Sequence, residues 1–388
     1  MAPIPYRHFH GVLCEMGGME IPMLKKFEVN GFKNFKNNIV LDFSDVRDYQ
    51  FNETCIRNGI LNKIIVYGKN AVGKSNLGLA LFDITTHLTD KNVTPGLYDN
   101  YLNADKESDY AEFHYIFQFE FGEIDYFYKK TDTKDLLYEK LVLNTEEVFS
   151  YDYSTKSGNL DGLRNLAPSL NFEFMDNSIS ILKYAVNNTF ADSIIQLKQF
   201  VRYINNMLWF RSLEENRYIG YKTESSNYTK FIFEGQNLNA FQQLLHTAGV
   251  NEDLIAIKDP DGQKRLYFKR KSPIPFIKAA SNGTKALYTL FYWLITATDI
   301  SFLFIDEFDA YYHFELSEMI VKMLEEYPQF QTVLTSHNTN LLTNKLMRPD
   351  CYFILTEDRI TSLTNATGRE LREGHNLEKL YVNGEFND

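Results

Sequence analysis

The 388-residue sequence predicts an α/β fold built on a mixed sheet, with an antiparallel β-meander lobe and a helical insertion. Three observations predict it. Ile64–Gly78, IIVYGKNAVGKSNLG, is a run of β-formers that breaks into a glycine loop and resumes as a helix. The segments FHYIFQFEFGEIDYFYKK and LLYEKLVLN, within Phe113–Asn144, are dense in aromatic and β-branched residues, and Gly122 marks a turn between strands. From Ser281 the order is helix, buried strand FLFID, helix, strand QTVLTS, short helix, strand CYFILT, the alternation of an α/β sheet.

The elements follow in chain order. Residues 23–45 alternate as two short antiparallel strands do, Lys63–Tyr67 is a buried strand, and Ser75–Leu88 is a helix. Residues 88–110 are polar and rich in Asn and Asp, which predicts a surface loop. Between about 178 and 250 the period changes. ILKYAVNNTFADSIIQLKQFVRYINNMLWF supports one or two helices, and NAFQQLLHTAG a further one. IAIKDPDGQKRLYFKRK holds two alternating runs around Asp259-Pro260-Asp261-Gly262, turn chemistry that predicts a hairpin. The division that results is an extension over 1–22, an N-lobe over 23–150, a helical insertion over 151–258 and a C-lobe over 259–388. Residues 1–22 do not join the pattern that starts at Met23 and lack the apolar core of a secretory signal, so initiation is expected at Met19 or Met23.

With 31 Phe, 25 Tyr and 23% charged residues, the composition is that of a folded chain. No apolar run approaches the ~20 residues a membrane helix needs. Cys14, Cys55 and Cys351 are scattered and form no CxxC pair, which argues against a disulfide framework or a zinc site and makes a cytoplasmic protein the expectation. A net charge of −11 counts against a chain whose main task is to wrap nucleic acid.

Gly68-Lys69-Asn70-Ala71-Val72-Gly73-Lys74-Ser75 fits GxxxxGK[ST] without a gap, between a strand and a helix. Its glycines let backbone N–H groups converge on an anion, and the following helix, through Asn76, points its positive end at the same place. Lys74 is expected to reach the β- and γ-phosphates and Ser75 to ligate Mg²⁺. Guanine specificity calls for NKxD; the nearest match, Asn344-Lys345-Leu346-Met347, lacks the aspartate, so ATP is the expected nucleotide. SFLFIDEFD, Ser301–Asp309, is an apolar strand ending in acids. Asp306 is placed to hold the Mg²⁺ shell and Glu307 to polarise the attacking water. His337, after strand QTVLTS, lies at the ligand edge of such a sheet, where it can sense the γ-phosphate.

Lys74 and Asp306 stand roughly 230 residues apart, a spacing that does not suit a ring-forming AAA+ motor. Ser281-Asn282-Gly283-Thr284 opens an apolar helix just before the acidic strand, a second anion cradle. In a chain that already has its phosphate loop, it makes sense as a contact to a neighbour's nucleotide.

With these motifs in order, the chain resembles the ABC-type ATPase heads of the SMC, RecF and OLD-like branch, and most closely the stand-alone bacterial defence ATPases of the RloA/AbiLi type. The resemblance runs from Met23 to the C-terminus. It is carried by FEVNGFKNFKNNIVLDFS, YGKNAVGKSN, SNGTKAL, FIDEFDAYYH, TSHNTNLL and YVNGEF. It implies a P-loop NTPase of ABC type, with Ser281 and Gly283 contacting the γ-phosphate across a homodimer, Asp309 as the acid linking the two sites, and His337 as the switch histidine. It also implies a defence role with a separately encoded effector, a nuclease or a toxin. Departures are a signature without the LSGGQ glutamine, no clear Q-loop glutamine beyond an available Gln118, and Gly384-Glu385-Phe386 where the family has Gly-Arg-Phe.

About fifty residues follow His337, too few for a TOPRIM nuclease. Asp135 with Glu139-Lys140 is loosely nuclease-like but sits in an aromatic β-run. Lys264, Arg265, Lys269, Arg270 and Lys271, interleaved with Tyr267 and Phe268, suit either nucleic acid or a solvated hairpin face. The favoured expectation is an ATP-gated dimeric switch, a homodimer or a higher assembly of dimers, without a membrane anchor. The alternative is a RecF- or SMC-like repair ATPase that binds DNA directly.

Overall fold

The computed structural model describes residues 21–386, apart from 90, 92–95, 173–175, 190–191, 212–216, 221–227 and 297. The expected extension over 1–22, Cys14 included, therefore lies almost wholly outside the described residues.

Strands β1 (Met23–Asn30) and β2 (Ile39–Asp42) pair antiparallel, as their alternation predicts. A two-residue pair, β3 (Ile56–Arg57) and β4 (Ile60–Leu61), leads into β5 (Lys63–Tyr67), which is buried at every position. The helix expected over Ser75–Leu88 is two, α1 (Lys74–Leu81) and α2 (Asp83–Leu88). The break falls at Phe82, whose ring packs 5.7 Å from Trp209 and 6.2 Å from Phe302.

The meander is β6 (Ala111–Phe119), β7 (Gly122–Lys130), β8 (Leu136–Leu143), β9 (Glu146–Asp152) and β10 (Ser157–Asn159). With β1 and β2 it forms a seven-stranded antiparallel sheet in the order β10-β9-β8-β7-β6-β1-β2. Along β6 the residues Ala111, Phe113, Tyr115, Phe117 and Phe119 are buried and the alternate ones are not, the period-2 signature of a sheet with one covered face. The loop before it is less superficial than its polarity suggests. Tyr98 and Tyr101 are buried, and their hydroxyls donate to Leu79 O (3.2 Å) and Asp83 Oδ1 (2.9 Å).

The next stretch holds α3 (Asp161–Leu166), α4 (Ile181–Asn188), α5 (Ile195–Asn205) and, further on, α6 (Asn237–Thr247). Between them lie β11 (Met207–Arg211) and β12 (Arg217–Gly220). The helical reading of 178–250 is corrected here. MLWFR follows an amphipathic helix with only Asn206 between, and it pairs parallel with the acidic strand instead of continuing the helix. The expected hairpin is β13 (Leu254–Lys258) and β14 (Lys264–Phe268), joined by β15 (Ile274–Pro275). Then come α7 (Phe276–Ala279), α8 (Asn282–Thr296), β16 (Phe302–Asp306), α9 (Phe314–Glu325), β17 (Gln331–Ser336), β18 (Tyr352–Leu355), β19 (Ile360–Ser362) and α10 (Leu377–Val382).

The second large sheet runs β12-β11-β16-β17-β5-β18-β19. Its five inner strands are parallel and each edge strand is antiparallel. β5, β16 and β17 are buried at every residue because both faces of a parallel sheet are covered. All five parallel strands therefore end on the same edge, and the predicted site lies there. The two sheets are tied at the opposite edge by Gln331, which accepts from Leu24 N (2.7 Å) and donates to Leu24 O (2.8 Å) and Leu61 O (3.0 Å).

Candidate functional site

The turn from β5 into α1 is the phosphate loop. Ala71 (φ 66°) and Gly73 (φ 104°) both take left-handed backbone, which curls successive N–H groups toward one side. Any other residue at Gly73 is strained: beyond the left-handed φ, a Cβ there would lie 2.4 to 2.8 Å from the Asn34 amide, which would have to shift. Asn34 comes from the β1–β2 turn and is a residue that sequence reasoning missed. Its Nδ2 donates to Val72 O (2.8 Å) and its Oδ1 accepts from Asn76 Nδ2 (2.7 Å), so it fastens both arms of the loop. Asn70 and Ala71 are exposed, and Ser75 is half-buried in the first turn of α1.

Lys74 is 5% exposed, and its ammonium donates to Gly68 O (3.0 Å) and Lys69 O (3.3 Å). Burial pulls its pKa down, while the carboxylates of Glu307, Asp306 and Asp309 push it back up. The loop lysine and the three acids thus share one electrostatic neighbourhood, although they come from distant parts of the chain.

Asp306 closes β16 at 7% exposure. The next residue, Glu307, takes a left-handed backbone (φ 46°), rare for a residue with a Cβ and a form of strain that concentrates at functional sites. Thr335 on β17 fixes both: its hydroxyl donates to Asp306 Oδ1 (2.7 Å) and accepts the Glu307 N–H (2.7 Å). His337 Nε2 stands 3.7 Å from Glu307 Oε1, an ion pair when the ring is protonated. Asp309 Oδ2 accepts from Ser336 Oγ (2.7 Å). Burial raises the Asp309 pKa, against the Ser336 hydrogen bond and the charges of His337 and Lys74. Thr335 and Ser336 were also missed. Both sit in QTVLTS, whose carboxyl end faces the same edge as the acids.

Ser281 is exposed and caps α8, its Oγ accepting from Thr284 N (3.1 Å). Gly283 is pressed against the loop that follows Asp309: a Cβ there would lie 2.8 Å from Tyr311 O. The fold brings together Lys74, Asp306, Glu307, Asp309 and His337, and Ser281 is exposed.

Gln118 is not brought to the site. It pairs with Met23, next to the Leu24–Gln331 link at the far edge of the sheet. The residue that does stand beside the acids is Arg211, in register with Asp306 across β11 and β16. The hairpin's basic residues are partly spent on neighbours: Arg265 pairs with Asp259 and Asp261, and Arg270 with Glu252. Phe268 is buried, so it offers no stacking face. Glu139, in the loosely nuclease-like trio, is buried and accepts from Tyr126, Tyr153 and Ser180, a structural role.

Mg²⁺ typically takes one or two protein oxygens and completes its shell with phosphates and water. The Ser75 hydroxyl and the Asp306 carboxylate fit that set. Among the described residues, no group of three His, Cys, Asp or Glu side chains forms a self-sufficient metal site. No helix of the described residues is long and apolar enough to cross a membrane.

No curated protein matches the chain. Among solved structures it is similar to an SMC head bound to the C-winged helix domain of ScpA, at 16% identity and a TM-score of 0.44 over 87% of this chain and 97% of that one. It is similar to the SMC head domain from Thermotoga maritima at 15% identity, TM-score 0.42, over 87% and 98%. For the Pyrococcus yayanosii Smc head with a coiled coil and joint, the values are 12%, 0.46, 89% and 98%. The fold is a mixed α/β one with a phosphate loop, a parallel core sheet and an antiparallel lobe. Residues 63–343 match the family described as "AAA domain, putative AbiEii toxin, Type IV TA system", and the chain belongs to that family.

Proposed function

We propose that the chain is an ATP-binding and ATP-hydrolysing switch whose catalytic unit is a homodimer, and that it regulates a separately encoded effector of an abortive-infection type system. The observation that carries the first part is the split of the motifs. Lys74, Asp306, Glu307 and Asp309 lie in one electrostatic neighbourhood within the chain, whereas Ser281 is exposed at the start of α8. A second copy can bring its own Ser281 and Gly283 to the phosphates, which completes the pocket in trans. The defence role rests on the family description and on the resemblance in sequence.

In this reading the loop N–H groups from Asn70 to Ser75 and the Lys74 ammonium hold the β- and γ-phosphates. Ser75 and Asp306 hold Mg²⁺, which neutralises phosphate charge. Glu307 orients and polarises the attacking water, and His337, beside it, monitors the γ-phosphate. Asp309, anchored by Ser336 and adjacent to the Gly283 contact, links the two halves of the pair. Hydrolysis removes the γ-phosphate that both copies hold, and the pair separates.

The experiment is light scattering with and without ATP, together with phosphate release. Glu307→Gln is expected to accumulate as an ATP-bound dimer with hydrolysis reduced at least a hundredfold. Lys74→Ala is expected to lose binding and dimerisation together. Normal turnover by Lys74→Ala, or full-speed hydrolysis by a strictly monomeric chain, overturns the reading. DNA binding as the primary task is disfavoured by the paired hairpin arginines and the net charge of −11.

A further inference from the structure

A cleft of about 440 Å³ opens directly beside the phosphate loop, within the range of roughly 300–1,000 Å³ typical of small-molecule sites. One wall is the outer side of the loop itself, Gly68, Lys69 and Val72. A second is the tight turn between β18 and β19, residues 356–359, closed by Thr356 N donating to Arg359 O (2.9 Å). The third is the C-terminal segment, through Tyr381 and Phe386. That segment carries the YVNGEF motif, which none of the phosphate or water chemistry above employs.

The walls are pinned. Asp358 Oδ1 accepts from Asn37 Nδ2 (2.9 Å), which ties the turn to the same β1–β2 connection that supplies Asn34. The Tyr381 ring lies 6.2 Å from that of Tyr67, the last residue of β5. Thr367 Oγ1 donates to Glu385 Oε1 (2.8 Å), which holds the chain beside Phe386, itself 4% exposed.

We propose that this cleft receives the nucleoside half of the bound triphosphate, with the C-terminal segment as its aromatic wall. The inference rests on the ATPase reading and adds which residues hold the base and ribose. Orientation follows from the phosphate loop. The triphosphate is drawn to Lys74 and the loop N–H groups, which leaves the nucleoside to the cleft on the loop's outer side, where the facing turn carries Glu357, Asp358 and Arg359. Carboxylates only accept hydrogen bonds and a guanidinium only donates, so that turn offers acceptors to ribose hydroxyls and an exocyclic amine, and a donor to a ring nitrogen or carbonyl of a base. The half-buried Tyr381 supplies an aromatic side chain for the planar base, and Phe386 backs the apolar wall behind it. The segment that ends the described chain is thereby part of nucleotide selection.

The test is calorimetric titration of the full chain with the magnesium salts of ATP and of inorganic tripolyphosphate. The wild type is expected to prefer ATP at least tenfold. Thr361→Trp, which fills the cleft from the half-buried middle position of β19, and Tyr381→Ala, which removes the ring, are each expected to weaken ATP at least fivefold. Tripolyphosphate affinity is expected to stay within twofold, which also shows that the variants remain folded. Unchanged ATP affinity in both variants overturns the inference and leaves the ATPase reading intact. Retention of both ligands by Lys74→Ala instead overturns the phosphate-loop reading, and this inference with it.

Discussion

The Thr335 hydroxyl donates to Asp306 at 2.7 Å and accepts the backbone N–H of Glu307 at the same distance. One side chain on β17 thus orients the proposed metal-holding acid and pins the strained residue that carries the proposed water-polarising acid. Thr335→Val keeps shape and volume but leaves a buried carboxylate oxygen and a backbone N–H without this partner. Loss of an outer-shell partner of this kind typically costs about 10–100-fold in activity or metal affinity. Phosphate release by Thr335→Val is expected to fall by that order while ATP still binds. Thr335→Ser, which retains the hydroxyl, should recover most of the rate.

Asn34 and Gly73 meet in the same way from the other side of the loop. Asn34→Ala removes two hydrogen bonds, to Val72 O and from Asn76, each contributing about 0.5–1.5 kcal/mol. ATP affinity is expected to drop roughly 5- to 150-fold, since the loop's order is what those bonds supply. Gly73→Ala is expected to be worse, since its Cβ strikes the Asn34 amide and its φ of 104° is itself unfavourable for alanine. Combining it with Asn34→Ala relieves the collision but not the backbone, so the double variant should bind ATP better than Gly73→Ala alone and worse than Asn34→Ala. Equal affinities for the two Gly73 variants would show that the collision contributes nothing.

These two residues mark what was legible in the chain and what was not. The phosphate loop and the acidic strand could be read because each is contiguous: glycine spacing and an apolar strand ending in acids are local facts. Asn34 and Thr335 act on partners that lie 28 to 42 positions away along the chain, and nothing in their own neighbourhoods announces it. β11 was missed for a different reason. An apolar run of four, MLWF, reads equally as strand or buried helix, and only its pairing with β16 decides. The tyrosines at 98 and 101 were hidden by the polar residues around them. Their anchorage depends on a buried carboxylate at Asp83 that belongs to another element.

That carboxylate supports a third prediction. Asp83 and Lys130 form an ion pair at 2.9 Å with both side chains wholly buried, and Asp83 also accepts from Tyr101 and Tyr128, each at 2.9 Å. Burial shifts both partners toward their neutral forms, and their mutual attraction opposes it. Removing one charge strands the other, which typically costs about 3–5 kcal/mol. Lys130→Met is expected to lower the unfolding free energy by that order in a denaturant titration. Asp83→Asn together with Lys130→Met should be clearly less damaging than Lys130→Met alone, because no lone charge remains.

A fourth prediction concerns pH and the edge of the sheet remote from nucleotide. Burial raises the Glu325 carboxyl from 4.5 to about 7. Burial likewise lowers the Lys63 ammonium from 10.5 to about 7, even though it donates to Tyr327 O, Phe330 O and Thr332 Oγ1. The signs oppose each other. The folded state binds more protons at Glu325 than the unfolded chain does, so that contribution is complete below pH 4.5 and is lost as pH rises through 7. The folded state binds fewer at Lys63, so that contribution is present above 10.5 and is lost as pH falls through 7. Together they place a minimum in these two groups' contribution near pH 7. Glu325→Gln removes the acidic limb alone. It should stabilise the protein at pH 8 by about 1–3 kcal/mol, discounted for the partial exposure of the carboxyl, and change little at pH 4.5. An equal gain at both pH values would show that Glu325 is not protonated in the folded state at pH 4.5, and the burial argument for its shift would fail.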